Sequence, residues 1–124
     1  MEQAGQDLLA AEALLGRKNQ RLSNPICYHA QQAAEKYLKA LLLHQGVEFP
    51  FTHDLRLLLE LVSPQIATGV DHASVIGLTR YAIQARYPGE WEPIDRREAQ
   101  RAVTTARSVG KAVKAVLDKE PAKR

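Results

Sequence analysis

Cysteine is nearly absent from this sequence. Cys27 is the sole example in 124 residues, so an intrachain disulfide and a paired-thiol metal or redox motif are both excluded. Long hydrophobic runs are missing as well. The longest, such as Ala40-Leu41-Leu42-Leu43, reach four residues, against the ~20 needed to cross a bilayer, so no membrane association is expected. The N-terminus carries Glu2 and Asp7 and lacks a basic start followed by an apolar run. No secretory signal is therefore visible, and a cytoplasmic location is expected. β-branched and aromatic residues are sparse, and no stretch alternates as a half-buried strand does. There is no Gly-x-Ser-x-Gly elbow, no phosphate-cradling glycine loop, and no histidine after His72.

What is present points to one compact helical unit. Hydrophobic residues make up 45% and charged residues 25%, an ordinary globular composition. A chain of this length forms one domain with a core large enough to stand without staples. The reading is a single domain over residues 1–124, with a flexible tail from about residue 119. Ala, Leu, Glu, Lys, Gln and Arg dominate, and Gly16, Ser23-Asn24-Pro25, Gly46, Pro50, Pro64, Gly69, Pro88-Gly89 and Pro93 cut the chain into five stretches. The predicted architecture is all-α: an antiparallel up-and-down bundle of four main helices plus one short helix.

Each stretch carries a face. In the first, from about Glu2 to Arg17, Ala4, Leu8, Ala11 and Leu15 align at the helical period. The second is expected to start with Ser23 or Asn24 as cap and Pro25 in the first turn, and to stop at Gly46 in a left-handed conformation. Its apolar arc (Ile26, Cys27, Ala30, Ala33, Ala34, Tyr37, Leu38, Leu41) is wide enough for a central helix, and Gln32, Glu35, Lys36 and Lys39 are assigned to the opposite, polar arc. Leu42 and Leu43 widen the apolar surface further, which fits a dimer interface as well as a tightly packed centre. The short third helix is expected to be capped by Thr52, with Asp54 in its first turn. The fourth is read as continuous from about Asp71 to Arg86, and the fifth from about Ile94 to Lys119.

Charge is unevenly placed. Residues 1–60 hold six Lys/Arg and seven Asp/Glu; residues 61–124 hold eleven and seven, so the net +3 resides in the second half. Arg96, Arg97, Arg101, Arg107, Lys111 and Lys114 share one arc of the last helix. That stripe either contacts phosphates or is the solvated face opposite a core face. No aromatic interleaves with it for base stacking, which weighs against nucleic acid there. The four histidines share no helical face at metal-ligand spacing, so no metal and no cofactor are expected. Cys27 sits in a first helical turn yet within the apolar arc, which reads as an inert core residue. The most distinctive local sequence is Arg86-Tyr87-Pro88-Gly89-Glu90-Trp91, a guanidinium, a phenol and the only indole in one turn. Two readings stand for it: a ligand site, or a Trp91 plug at the end of the bundle.

Three segments occur in a specific order: Ala30-Gln31-Gln32-Ala33-Ala34-Glu35-Lys36-Tyr37-Leu38-Lys39-Ala40-Leu41-Leu42, then Thr52-His53-Asp54-Leu55, then Tyr81-Ala82-Ile83-Gln84-Ala85-Arg86-Tyr87-Pro88. Together they resemble the HEPN domain family along essentially the whole chain. The resemblance implies a helical bundle, usually a homodimer. It also implies one of two roles: a metal-independent ribonuclease of toxin–antitoxin systems, or a partner of a minimal nucleotidyltransferase that binds a nucleotide, RNA or only the protein. The ribonuclease motif is an Arg followed after four to six residues by a His. Arg86 stands where that Arg belongs, but position 91 is Trp91, whose indole has no basic nitrogen. The resemblance therefore favours a non-catalytic protein with Arg86, Tyr87, Trp91, Lys36 and Lys39 as ligand-binding candidates. The alternatives are a ribonuclease with a variant site of Arg86, His53 and Tyr87, in which His53 supplies the missing imidazole, and a bundle that only docks proteins.

Overall fold

The computed structural model describes residues 1–62, 66, 69–87, 89 and 91–119. Helices are α1 (Glu2–Leu15), α2 (Ser23–His44), α3 (Leu55–Leu61), α4 (His72–Gly77), α5 (Thr79–Arg86) and α6 (Arg96–Lys119), with a short 3-10 turn at Gln20–Leu22. No strand occurs among the described residues. The tail expected beyond about residue 119 lies outside them, as do Pro64, Pro88 and Glu90. Helices joined by short connections form an antiparallel bundle, with α2 at its centre against α1, α3, α5 and α6.

The wide apolar arc of α2 explains that central place. Ile26, Cys27, Ala30, Ala33, Ala34, Tyr37, Leu38, Leu41 and Leu42 are all buried. On α6 the facing residues are Ala99, Ala102, Val103, Ala106, Val109, Gly110, Val113 and Val116. Small side chains on both helices permit close approach. The tightest point is Gly110, where an added Cβ would stand 2.8 Å from Cε2 and 2.9 Å from Cζ of the buried Tyr37. Gly77 on α4, by contrast, has nothing within 4 Å of that position. The two glycines predict opposite outcomes in thermal denaturation. Gly77→Ala gains helix propensity and stabilises by about 0.5–1 kcal/mol. Gly110→Ala has the same gain, but displacing a core aromatic ring outweighs it, for a net loss of about 1–2 kcal/mol. A raised Tm for Gly110→Ala would contradict the close α2–α6 approach.

Several local expectations need correction. Ser23 is the first residue of α2 and is buried; the 3-10 turn feeds the helix directly, and no side chain caps it. Gly46 does take the left-handed conformation, with φ 70°. The cap of α3 is Asp54, whose carboxylate accepts from the Arg56 amide at 3.0 Å; Thr52 instead accepts from the Asp54 amide at 3.0 Å. The helix read as continuous from Asp71 to Arg86 is two, broken at Leu78. Gly77 weakens the helix there, the Leu78 amide bonds back three residues to Val75, and the Thr79 hydroxyl accepts from the Leu55 amide of α3 at 3.2 Å. The last helix begins at Arg96, just after Asp95, whose carboxylate accepts from the Glu98 amide at 2.8 Å.

Candidate functional site

The largest departure from the sequence reading lies on α2. Gln31 and Glu35, the latter assigned to the solvated arc, are both buried. Glu35 is held from three sides: Gln31 Nε2 donates to Oε1 at 2.9 Å, Lys39 Nζ to Oε2 at 3.1 Å, and His53 Nδ1 lies 2.7 Å from Oε1. Gln31 and Lys39 stand one turn to either side of Glu35, so the helix itself stacks the three. Gln32 extends the chain by donating to Gln31 Oε1 at 2.7 Å. A carboxylate buried this deeply persists because each oxygen is paired.

His53 reaches Glu35 because the loop after Gly46 turns back along α2 and the Thr52 and Asp54 bonds fix the backbone on either side of it. Arg86, the last residue of α5, arrives from the opposite side. Its Nη2 stands 2.7 Å from His53 Nε2. A guanidinium has no acceptor, so Nε2 accepts from Arg86, and the ring proton sits on Nδ1 and is donated to Glu35. The fold therefore joins α2, the α2–α3 loop and α5 in one chain of side chains, Glu35–His53–Arg86, with Lys39 beside it. Glu35 carries one negative charge, and Lys39 and Arg86 one positive charge each. By formal charge the three ionic side chains are net positive, and the outer end of the cluster, Arg86, is exposed.

The other sequence candidates are placed as follows. Tyr87 is 68% exposed and Trp91 47% exposed, and the indole N–H of Trp91 donates to the Tyr87 carbonyl at 3.0 Å. Trp91 is thus not a buried plug. Lys36 is not with Lys39: its Nζ bonds Asp7 Oδ2 at 2.6 Å, and Asp7 Oδ1 also meets His29 Nδ1 at 2.9 Å, a cluster that ties α1 to α2. The basic stripe is partly structural. Arg96 donates to the Leu15 carbonyl, Arg107 pairs with Glu12 at 2.7 Å, and Lys114 lies 5.7 Å above the Tyr37 ring. No group of three potential metal ligands occurs among the described residues. A separate shallow cavity of about 280 Å³ is lined by Ser74, Arg80, Tyr81, Glu98 and Arg101, but Arg80 and Tyr81 already bond Glu98 there.

Cys27 is fully buried, and burial pushes its thiol up to about 11, with the hydrogen bond to Tyr81 opposing only in part. Burial likewise pushes Tyr81 up to about 12. The thiol stays protonated and shielded at neutral pH, so iodoacetamide should label the native protein hardly at all and the unfolded chain readily. The unfolded thiol ionises near the ordinary 9.0 and the folded one near 11, so this contribution to stability is intact below 9.0 and is lost as pH rises through 11.

Sequence reasoning missed Glu35 and Gln31 as site residues, although a signal existed: Leu42, fully buried, falls between them on the helical wheel. It also missed Phe51, which follows Pro50 in the loop that delivers His53.

The HEPN domain family model matches residues 1–116. Among solved structures, the chain is similar to the crystal structure of an archaeal HEPN homologue, with a TM-score of 0.70 and 25% identity over 93% of this chain and 92% of that one. No curated protein matches it. No described helix is long and apolar enough to cross a membrane. A family match of this extent, on a bundle of the same architecture, establishes that the chain belongs to the HEPN domain family.

Proposed function

We propose that this HEPN protein is a non-catalytic binding module that holds a nucleotide or another phosphate-bearing ligand at Arg86, His53 and Lys39. The observation that carries this reading is the 2.7 Å contact between Arg86 and His53, with the imidazole oriented from behind by buried Glu35. A phosphate arriving there takes over the guanidinium in charge-assisted hydrogen bonds. His53, held from behind by Glu35, then lies beside the bound phosphate, and Lys39 adds a second positive charge to the site. In this reading the protein is a cytoplasmic homodimer that pairs with a minimal nucleotidyltransferase in a toxin–antitoxin-like module. Family membership and the 70% exposed Leu43 on α2 support that part. Equilibrium titration with ATP, GTP and short RNA tests the binding; no binding by any of them removes it. A monomer in sedimentation at micromolar concentration removes the dimer.

A second reading has one observation in its favour. The Glu35–His53 pair orients an imidazole next to an arginine, the groups a metal-independent ribonuclease needs. The imidazole that contacts Arg86 comes from the α2–α3 loop, and the motif's own His position is Trp91, so binding is the better-supported reading. RNA cleavage in excess EDTA that is abolished by His53→Ala would reverse that order.

A further inference from the structure

We infer that the ligand of the Arg86–His53 site carries an unpaired base on the same ribose as its phosphate, and that Phe51 is the platform on which the base stacks. The inference rests on the phosphate site proposed above and adds the ligand's second half. Phe51 is 88% exposed, so its ring contributes almost nothing to the core. Yet it is not placed at random. Its ring lies edge-on to the His53 imidazole, with centroids 5.8 Å apart at an interplanar angle of 71°. Lys39 Nζ, which also bonds Glu35, is 5.6 Å from the same ring and 6.0 Å from that of Phe49. Phe49 is packed against the core and anchors the loop, while Pro50 restricts the backbone between the two aromatic residues.

An exposed aromatic ring thus stands beside the imidazole that meets Arg86, with a lysine tied to the same carboxylate on one side of it. A purely apolar partner surface would not be matched by an ammonium and an imidazole set against the ring. A base linked to a phosphate fits both parts, because the base supplies a π-face and the phosphate a negative charge. Every base has such a face, so recognition is tolerant of base identity. It requires the base to be unstacked, which excludes duplex. Free mononucleotides and single strands share this chemistry.

Calorimetry with AMP, ribose 5-phosphate and inorganic phosphate isolates the base. AMP should bind the native protein tighter than ribose 5-phosphate by on the order of tenfold to a hundredfold. Phe51→Ala should erase that gap and leave inorganic phosphate unchanged, and Phe51→Trp should keep it. Because the ring is exposed, neither substitution should disturb folding. A short single-stranded RNA and its duplex, followed by anisotropy, separate the two sources. Strand binding tighter than AMP assigns a strand, and the reverse assigns a free nucleotide; tight duplex binding overturns the inference. A gap that survives Phe51→Ala, while Arg86→Ala abolishes binding of all three small probes, overturns the platform and leaves the phosphate site standing. Failure of all three to bind the native protein removes the phosphate site and the platform with it. A change in sedimenting mass on Phe51→Ala assigns the ring to an interface between copies and also overturns it.

Discussion

Glu35→Ala should destabilise the protein by about 2–4 kcal/mol and abolish most of its phosphate affinity in the same step. The side chain is 5% exposed and receives donors from Gln31, Lys39 and His53. Its loss leaves a buried amide and a mostly buried ammonium without their acceptor, and it frees the imidazole to rotate away from Arg86. For a domain of this size the stability term corresponds to a fall in Tm of roughly 10 °C. Glu35→Gln keeps the shape and one oxygen acceptor but removes the charge. It should fall between the native protein and the alanine variant in both measurements. A Glu35→Ala protein with native Tm would show that the buried pairing contributes little.

Arg86→Ala should act differently, weakening nucleotide or phosphate binding about thirtyfold or more while leaving stability within about 0.5 kcal/mol. The side chain is exposed and its recorded partner is the outer nitrogen of His53, so little of the fold depends on it. Arg86→Lys should recover only part of the affinity, because an ammonium cannot hold two phosphate oxygens in the planar fork of a guanidinium. Calorimetric titration beside a thermal melt separates the two effects. Equal losses of affinity and stability would assign Arg86 to the scaffold.

The contrast between these two residues shows what a sequence of this kind makes legible. Helical faces are readable because they are periodic: the buried apolar residues of α1, α2 and α6 are ones aligned at the helical repeat. The break at Leu78 is not, because it depends on a bond from Leu55 to Thr79, 24 residues apart. Arg86 stands out as the Arg of a family motif, and His53 as part of a second motif, but their contact spans 33 residues and follows from the packing of α5 and the α2–α3 loop on α2. Glu35 was misassigned for a physical reason. A carboxylate on a lysine-bearing face is normally solvated, and burial becomes tolerable only when a remote residue, here His53, completes its hydrogen bonding. Phe51 carries no periodic signal, since exposure of an aromatic in a loop is visible only once the loop has a path.

In the proposed site a phosphate is received where Arg86 meets His53. The most direct measurement is the 15N NMR spectrum of the His53 imidazole during titration with AMP. Before ligand, Nδ1 should be the protonated nitrogen and Nε2 the bare one, as the Glu35 and Arg86 contacts dictate. On binding, the Nε2 resonance should shift as phosphate replaces the guanidinium beside it and should saturate together with the calorimetric isotherm, and Arg86→Ala should suppress the shift. An imidazole whose two nitrogens remain unchanged at saturating AMP would contradict the claim.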